Sequence, residues 1–247
     1  MTMLSTPNFA ATAIVAGTVE VIRTERLCKS LDDRPVLRAL DLTIHAGEYV
    51  AILGANGAGK STLLRILATL VPPSSGDVFL FGERLTRNTC SLRSRIGMIG
   101  HQTMLYRDLS ARENLEFFGR LYGLEHPVSR ALELLEVIGL SDRASDPIKS
   151  YSRGMAQRVA IARALLHDPE LLLADEPFDG LDAPSSESLE QLLSDLNVAG
   201  KTIVMVHHDI ETTLKIAERA IVLRDGRIAI DEPTMRLYPK EVLSEVY

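Results

Sequence analysis

Between residues 48 and 218, short apolar runs alternate with longer stretches of helical periodicity. Residues 48–53 give way to a helical pattern over 60–70, 171–174 to one over 185–196, and 202–206 to one over 210–218. An apolar run without polar alternation fits a strand buried on both faces. Strands separated by helices pair in parallel, because only a crossover of that length returns the chain to the same end of the sheet. The pattern predicts an α/β fold with a mainly parallel sheet, helices on both faces, and ligands at the carboxyl ends of the strands.

Three other segments qualify this frame. Residues 109–166 are helical in pattern throughout and read as a lobe, bounded at about 103–166, inserted into the α/β core. Residues 19–27 and 37–44 read as β segments around the turn Asp32-Asp33-Arg34-Pro35, forming an antiparallel edge. Residues 221–223 and 227–230 flank Asp225-Gly226, a two-residue hairpin signal. The division expected is an N-terminal tail over 1–19, one unit over 20–230 and a short tail over 231–247. The 247 residues, 46% hydrophobic, suit one core better than two.

No apolar run approaches the roughly 18–20 residues of a spanning helix, so work at a membrane would need a separate chain. The apolar patch over 9–19 has no basic residue before it, Arg23 being the first, which argues against a secretory signal. Cys28 and Cys90 lie far apart in no metal-ligand spacing and read as packing residues of a reducing compartment. The formal net charge of −6 argues against nucleic acid as a partner. That charge is uneven: residues 84–166 carry 13 Lys+Arg against 8 Asp+Glu, and 167–247 carry 7 against 17, so the middle can face a different partner from the end.

The run Gly54-Ala55-Asn56-Gly57-Ala58-Gly59-Lys60-Ser61, with Thr62 behind it, stands between an apolar strand and a helical pattern. That is the setting of a phosphate-binding loop. Glycines let the backbone turn its N–H groups inward, and the helix N-terminus adds positive potential. Lys60 reaches the β and γ phosphates, and the Ser61 hydroxyl ligates magnesium. A second element, Leu171-Leu172-Leu173-Ala174-Asp175-Glu176, ends a strand on two carboxylates that alternation points in different directions. Asp175 can hold magnesium while Glu176 polarises a water.

The run Tyr151-Ser152-Arg153-Gly154-Met155-Ala156-Gln157-Arg158, at the start of a helix, resembles the signature of the ATP-binding cassette family. The resemblance implies a P-loop NTPase core that hydrolyses ATP with magnesium as a dimer. In such a dimer Ser152 and Gly154 of one chain bind the γ-phosphate of ATP held on the other chain's loop. It further implies that Gln102 senses magnesium, that Gly180-Leu181-Asp182 crosses the dimer interface, and that His208, directly before Asp209, contacts the γ-phosphate. Two departures stand out. The usual leucine-serine-glycine-glycine-glutamine is altered at Tyr151, Arg153 and Met155, and Leu31 stands where the family commonly stacks an aromatic ring on adenine.

Residues 100–109, Ala111-Arg112-Glu113-Asn114-Leu115 and 117–123 resemble more closely the ATPase subunit of haem exporters of cytochrome c maturation. The alternatives are a drug or polysaccharide exporter ATPase, or a soluble cassette ATPase such as the iron–sulfur assembly type. As a transporter subunit the chain is expected to be cytoplasmic and peripheral on the inner face of the cell membrane. It would pair with a second copy or a related ATPase subunit and with a separate transmembrane permease. Met104, Leu105 and Tyr106, just after Gln102, read as a place for a permease helix to dock. Phe117, Leu121 and Leu124 recur at helical spacing and read equally well as lobe core.

Overall fold

The computed structural model describes residues 19–86, 90–100 and 102–246. The expected tail and its apolar patch thus lie outside the described residues except for Val19, and so does the Cys90 side chain.

Five strands run in parallel in one six-stranded sheet. They are β3 (Tyr49–Leu53), β6 (Ile96–Ile99), β7 (Leu171–Asp175), β8 (Thr202–Val206) and β9 (Arg219–Arg224), with β10 (Arg227–Pro233) antiparallel at one edge. The spatial order is β10-β9-β3-β8-β7-β6. Every residue of β3, β7 and β8 is buried, and successive residues serve opposite faces. Tyr49, Ala51, Leu172, Ala174, Ile203 and Met205 pack with α3 (Ala111–Leu121), α4 (Pro127–Val137), α5 (Arg153–Leu165) and α6 (Ala183–Val198). Val50, Ile52, Leu171, Leu173, Val204 and Val206 pack with α1 (Lys60–Leu67) and with a second sheet. Period-two alternation therefore builds two cores from each apolar run.

The second sheet is antiparallel, in the order β2-β1-β4-β5: β1 (Glu20–Leu31), β2 (Arg34–His45), β4 (Ser75–Leu80) and β5 (Glu83–Arg84). The hairpin is tighter than the expected four-residue turn. Leu31 pairs with Arg34, so only Asp32 and Asp33 turn, both at positive φ (46° and 60°). Short acidic side chains tolerate that region, and Pro35 is accommodated because β2 is an edge strand. The two sheets meet where Arg38 N–H donates to the Gly226 carbonyl at 2.8 Å. The Val36 carbonyl lies between the β9–β10 turn and the glycine-rich loop: a Cβ on Gly59 would sit 3.0 Å from it, and one on Gly226 closer still.

As read, residues 109–166 hold helices and no strand, apart from an isolated bridge between Ser110 and Pro147. α3 starts in a capping box of Ser110 and Glu113, and α5 starts at Ser152, whose Oγ accepts from Met155 N–H. Past residue 230 the chain is more ordered than a tail. β10 continues to Pro233, and after α7 (Ile210–Ile216) and the last sheet strands comes α8 (Pro239–Val246). Val242 and Val246 bury against Leu53, Ala220 and Val222, at the end of the strand that leads into the glycine-rich loop. Among the described residues no helix is long and apolar enough to cross a membrane.

Candidate functional site

The glycine-rich run leaves the end of β3 and enters α1. Gly59 is the N-cap at φ 105°, and no side chain caps the helix. Its first N–H groups are thus left for another acceptor. α1 has no acidic residue in its first turn, so its positive end is not offset. A larger residue at Gly59 is excluded by space as well as by φ, since a Cβ would meet Leu37 Cδ2 at 2.6 Å.

Lys60 is 7% exposed, and its Nζ donates to the carbonyls of Gly54 (2.6 Å) and Ala55 (3.0 Å). Burial lowers its pKa, opposed by the charges of Glu176 and Asp175. The lysine is therefore curled back on its own loop, next to two carboxylates. Ser61 Oγ donates to Asp175 Oδ1 at 3.0 Å, joining the start of α1 to the end of β7. Glu176 sits at φ 52° with its N–H bonded to the Val206 carbonyl at 3.0 Å. This left-handed step turns it away from Asp175, and its carboxylate makes no hydrogen bond among the described residues.

β8 ends beside them. His207 is buried, its ring 5.0 Å from that of Phe178 and 5.0 Å from that of His208, with Nδ1 unpartnered. His208 is exposed, and Asp209 caps α7 by accepting from Thr212 N–H. A cavity of about 170 Å³ is lined by Gly54, Ala55, Asn56, His207, His208 and Val246, among others. His208 and the loop backbone thus share one space, walled by α8. The sequence reading missed this wall, for which α8's apolar residues gave a local signal but no address.

The remaining expected residues fall in two places. Leu31 is 47% exposed at the β1–β2 hairpin, and Gln102 is exposed three residues beyond β6. Ser152 and Gly154 open α5 and make no hydrogen bond to the glycine-rich loop. They adjoin the Gly180–Leu181 segment instead: a Cβ on Gly154 would lie 3.6 Å from Leu181 Cδ2, and Arg153 pairs with Asp179 at 2.8 Å. Asp182 is the N-cap of α6, accepting from Ser185 N–H. Gln157, which the sequence did not single out, donates to the Pro177 carbonyl at 3.3 Å and ties α5 to the segment after Glu176.

Among the described residues no three His, Cys, Asp or Glu side chains gather as a metal cage. A hydroxyl and a carboxylate 3.0 Å apart, beside unsatisfied N–H groups, fit an ion that takes few protein ligands and completes its shell with water and phosphate oxygens.

Residues 37–179 match the ABC transporter family. The ABC transporter ATP-binding protein NatA of Bacillus subtilis is 39% identical over 83% of this chain and 85% of its own length. The linearmycin resistance ATP-binding protein LnrL of the same organism is 35% identical over 87% of this chain and 70% of its own. Among solved structures, a dimeric post-hydrolysis ATP-binding cassette bound to ADP and Pi superposes with a TM-score of 0.80, at 34% identity, over 88% of this chain and all of that one. With its loop, strand-end acid pair and two-sheet frame in place, the chain belongs to the ABC transporter family.

Proposed function

We propose that this chain powers the export of a drug-like small molecule through a separate membrane partner. Family membership makes it an ATPase coupled to transport. The export reading draws on the relative named for linearmycin resistance. It favours the drug-exporter alternative over the haem-exporter likeness of residues 100–123.

The observation that carries the catalytic reading is the meeting of Ser61 and Asp175 beside a Glu176 turned free of them. The free N–H groups of the loop and of α1 bind phosphate oxygens, and Lys60 exchanges the Gly54 and Ala55 carbonyls for the β and γ phosphates. Magnesium, when bound through Ser61, Asp175 and Gln102, neutralises charge on the phosphates. Glu176 orients the attacking water, and His208 contacts the γ-phosphate from across the shared cavity. A second copy supplies Ser152 and Gly154. Ser152 already caps its own helix, so the same hydroxyl can donate to a phosphate while accepting from Met155 N–H.

The permease would dock on the exposed apolar side chains after Gln102 and on α3. Met104 (54% exposed), Tyr106 (51%) and Leu121 (67%) fit this, whereas Leu105 and Leu124 pack on the core and leave the docking face.

Glu176→Gln should bind ATP, lose turnover by at least ~100-fold and elute as a dimer with ATP. Wild-type phosphate release would remove Glu176 from this role. Deleting the gene should sensitise cells to antibiotics without lowering c-type cytochromes. Loss of those cytochromes would restore the haem-export reading.

A further inference from the structure

β6 is held against α5 and the turn that follows it over three consecutive residues, two by hydrogen bonds and one by close packing. β6 is the last strand of its sheet, so the carbonyls on its outer edge must find donors outside it. Arg163 Nη2 donates to the Met98 carbonyl at 3.0 Å. One turn later His167 Nε2 meets the Ile96 carbonyl at 3.0 Å, and since a carbonyl only accepts, this nitrogen carries the proton. Between them Gly97 lies so close to α5 that a Cβ would stand 2.6 Å from the Ala164 carbonyl oxygen.

Arg163 is 7% exposed and forms no ion pair among the described residues, and its Nε is unpartnered. Its guanidinium lies 5.3 Å from the centre of the Phe118 ring, and Tyr122, also from the α3 side, stacks on His167 at 3.8 Å. A buried cation without a counter-ion is costly, and an aliphatic side chain would fill the same space more cheaply. What the guanidinium adds is a donor of fixed reach between α5 and the edge strand.

Of the two elements it joins, β6 leads to this chain's own nucleotide site and α5 to the residues proposed to serve the site on a second copy. β6 runs through buried Ile99 to Gln102, four residues beyond Met98, and α5 begins at Ser152 and Gly154. We propose that Arg163 is a positioning residue for ATP hydrolysis: by holding the Met98 carbonyl against α5, it sets where Gln102 stands relative to the glycine-rich loop. The inference rests on the assignment of Gln102 to that site.

The test is a cycle of Arg163→Ala, Arg163→Lys and Gln102→Ala in the full chain. It reads kcat, KM for ATP, the magnesium concentration for half-maximal turnover, ATP binding with magnesium chelated, and the melting temperature. Arg163→Ala should lower kcat about tenfold and shift the magnesium requirement in the same direction as Gln102→Ala, with magnesium-free ATP binding within about twofold. Arg163→Lys, which keeps one donor, should recover about half of the lost kcat. In the Gln102→Ala background, Arg163→Ala should cost less than about twofold more, as residues acting through one another do. Penalties that multiply, or a loss confined to nucleotide affinity or melting temperature, make Arg163 a packing residue and overturn the inference while Gln102 keeps its role. If the alanine variant does not fold, the lysine variant decides by the same cycle. A Gln102→Ala protein with unchanged kcat and magnesium requirement removes the assignment of Gln102 itself, and the inference falls with it.

Discussion

Asn114 is fully buried, and its side chain holds the loop that follows Gln102. Its Oδ1 accepts from Tyr106 N–H at 2.8 Å, and its Nδ2 donates to the carbonyls of Tyr106 (3.0 Å), Leu109 (3.4 Å) and Ser110 (2.9 Å). Asn114→Ala does not strand all four groups. The Leu109 carbonyl also receives Ile148 N–H, Ser110 receives Asn114 N–H, and Tyr106 receives a longer bond from Leu109 N–H. Tyr106 N–H alone is orphaned. One stranded donor costs about 1–3 kcal/mol and each of the three lost bonds with a remaining partner about 0.5–1, so the variant should lose roughly 2.5–6 kcal/mol. For a chain of this size, at about 2–4 °C per kcal/mol, that lowers the melting temperature by about 5–24 °C.

Asn114→Asp separates the bonds from the volume. The carboxylate can still accept from Tyr106 N–H, but when ionised it faces three carbonyl oxygens. Burial and those oxygens raise its pKa in the folded state, so the folded protein holds a proton that the unfolded chain releases above about pH 3.9. Its stability should therefore fall as pH rises from about 4 towards its folded pKa, leaving it closer to wild type at about pH 5 than at about pH 8. Thermal melts followed by circular dichroism at both values decide the matter. An alanine variant melting within about 2 °C of wild type would refute the accounting.

Leu31→Tyr should tighten ATP binding by about 0.5–1.5 kcal/mol in isothermal titration, and no gain would mean that adenine rests elsewhere. Burial lowers the pKa of His167, aided by Arg163 and Arg130 against the Ile96 bond and Asp168, and burial lowers that of His207, aided by His208 against Asp209. With folded values below the unfolded one, the unfolded chain binds more protons. Their contribution is complete above about pH 6.5 and is lost as pH falls below it. His167→Gln, which keeps a donor for Ile96, should lose less melting temperature between about pH 8 and pH 5 than wild type, and an equal loss would discount His167.

The parallel sheet was legible because β3, β7 and β8 are buried on both faces and so appear as unbroken apolar runs. β4 and β5 were not, since β4 has exposed Ser75 and Gly76 at its start and β5 is two residues long. The pairing of β4 with β1 is set by residues some fifty positions away, beyond the reach of local periodicity, and β5 only extends β4. Spacing named the phosphate loop and the acid pair. The left-handed turn at Glu176 and the burial of His207 beside exposed His208 depend on how β7 and β8 end against one another. Helical periodicity could not separate Leu121, which faces out, from Leu124, which packs on the core.

The Val36 carbonyl, held between Gly59 and Gly226, ties two distant turns into one constraint. A side chain added at Gly226 would have to move the Val36 peptide, and one at Gly59 would press on the same carbonyl and on the Leu37 side chain, so both additions load one short stretch of β2. Neither position can be rescued by a change at its partner, so a library that randomises both together should return glycine at each, although one belongs to the nucleotide loop and the other to a hairpin with no part in chemistry.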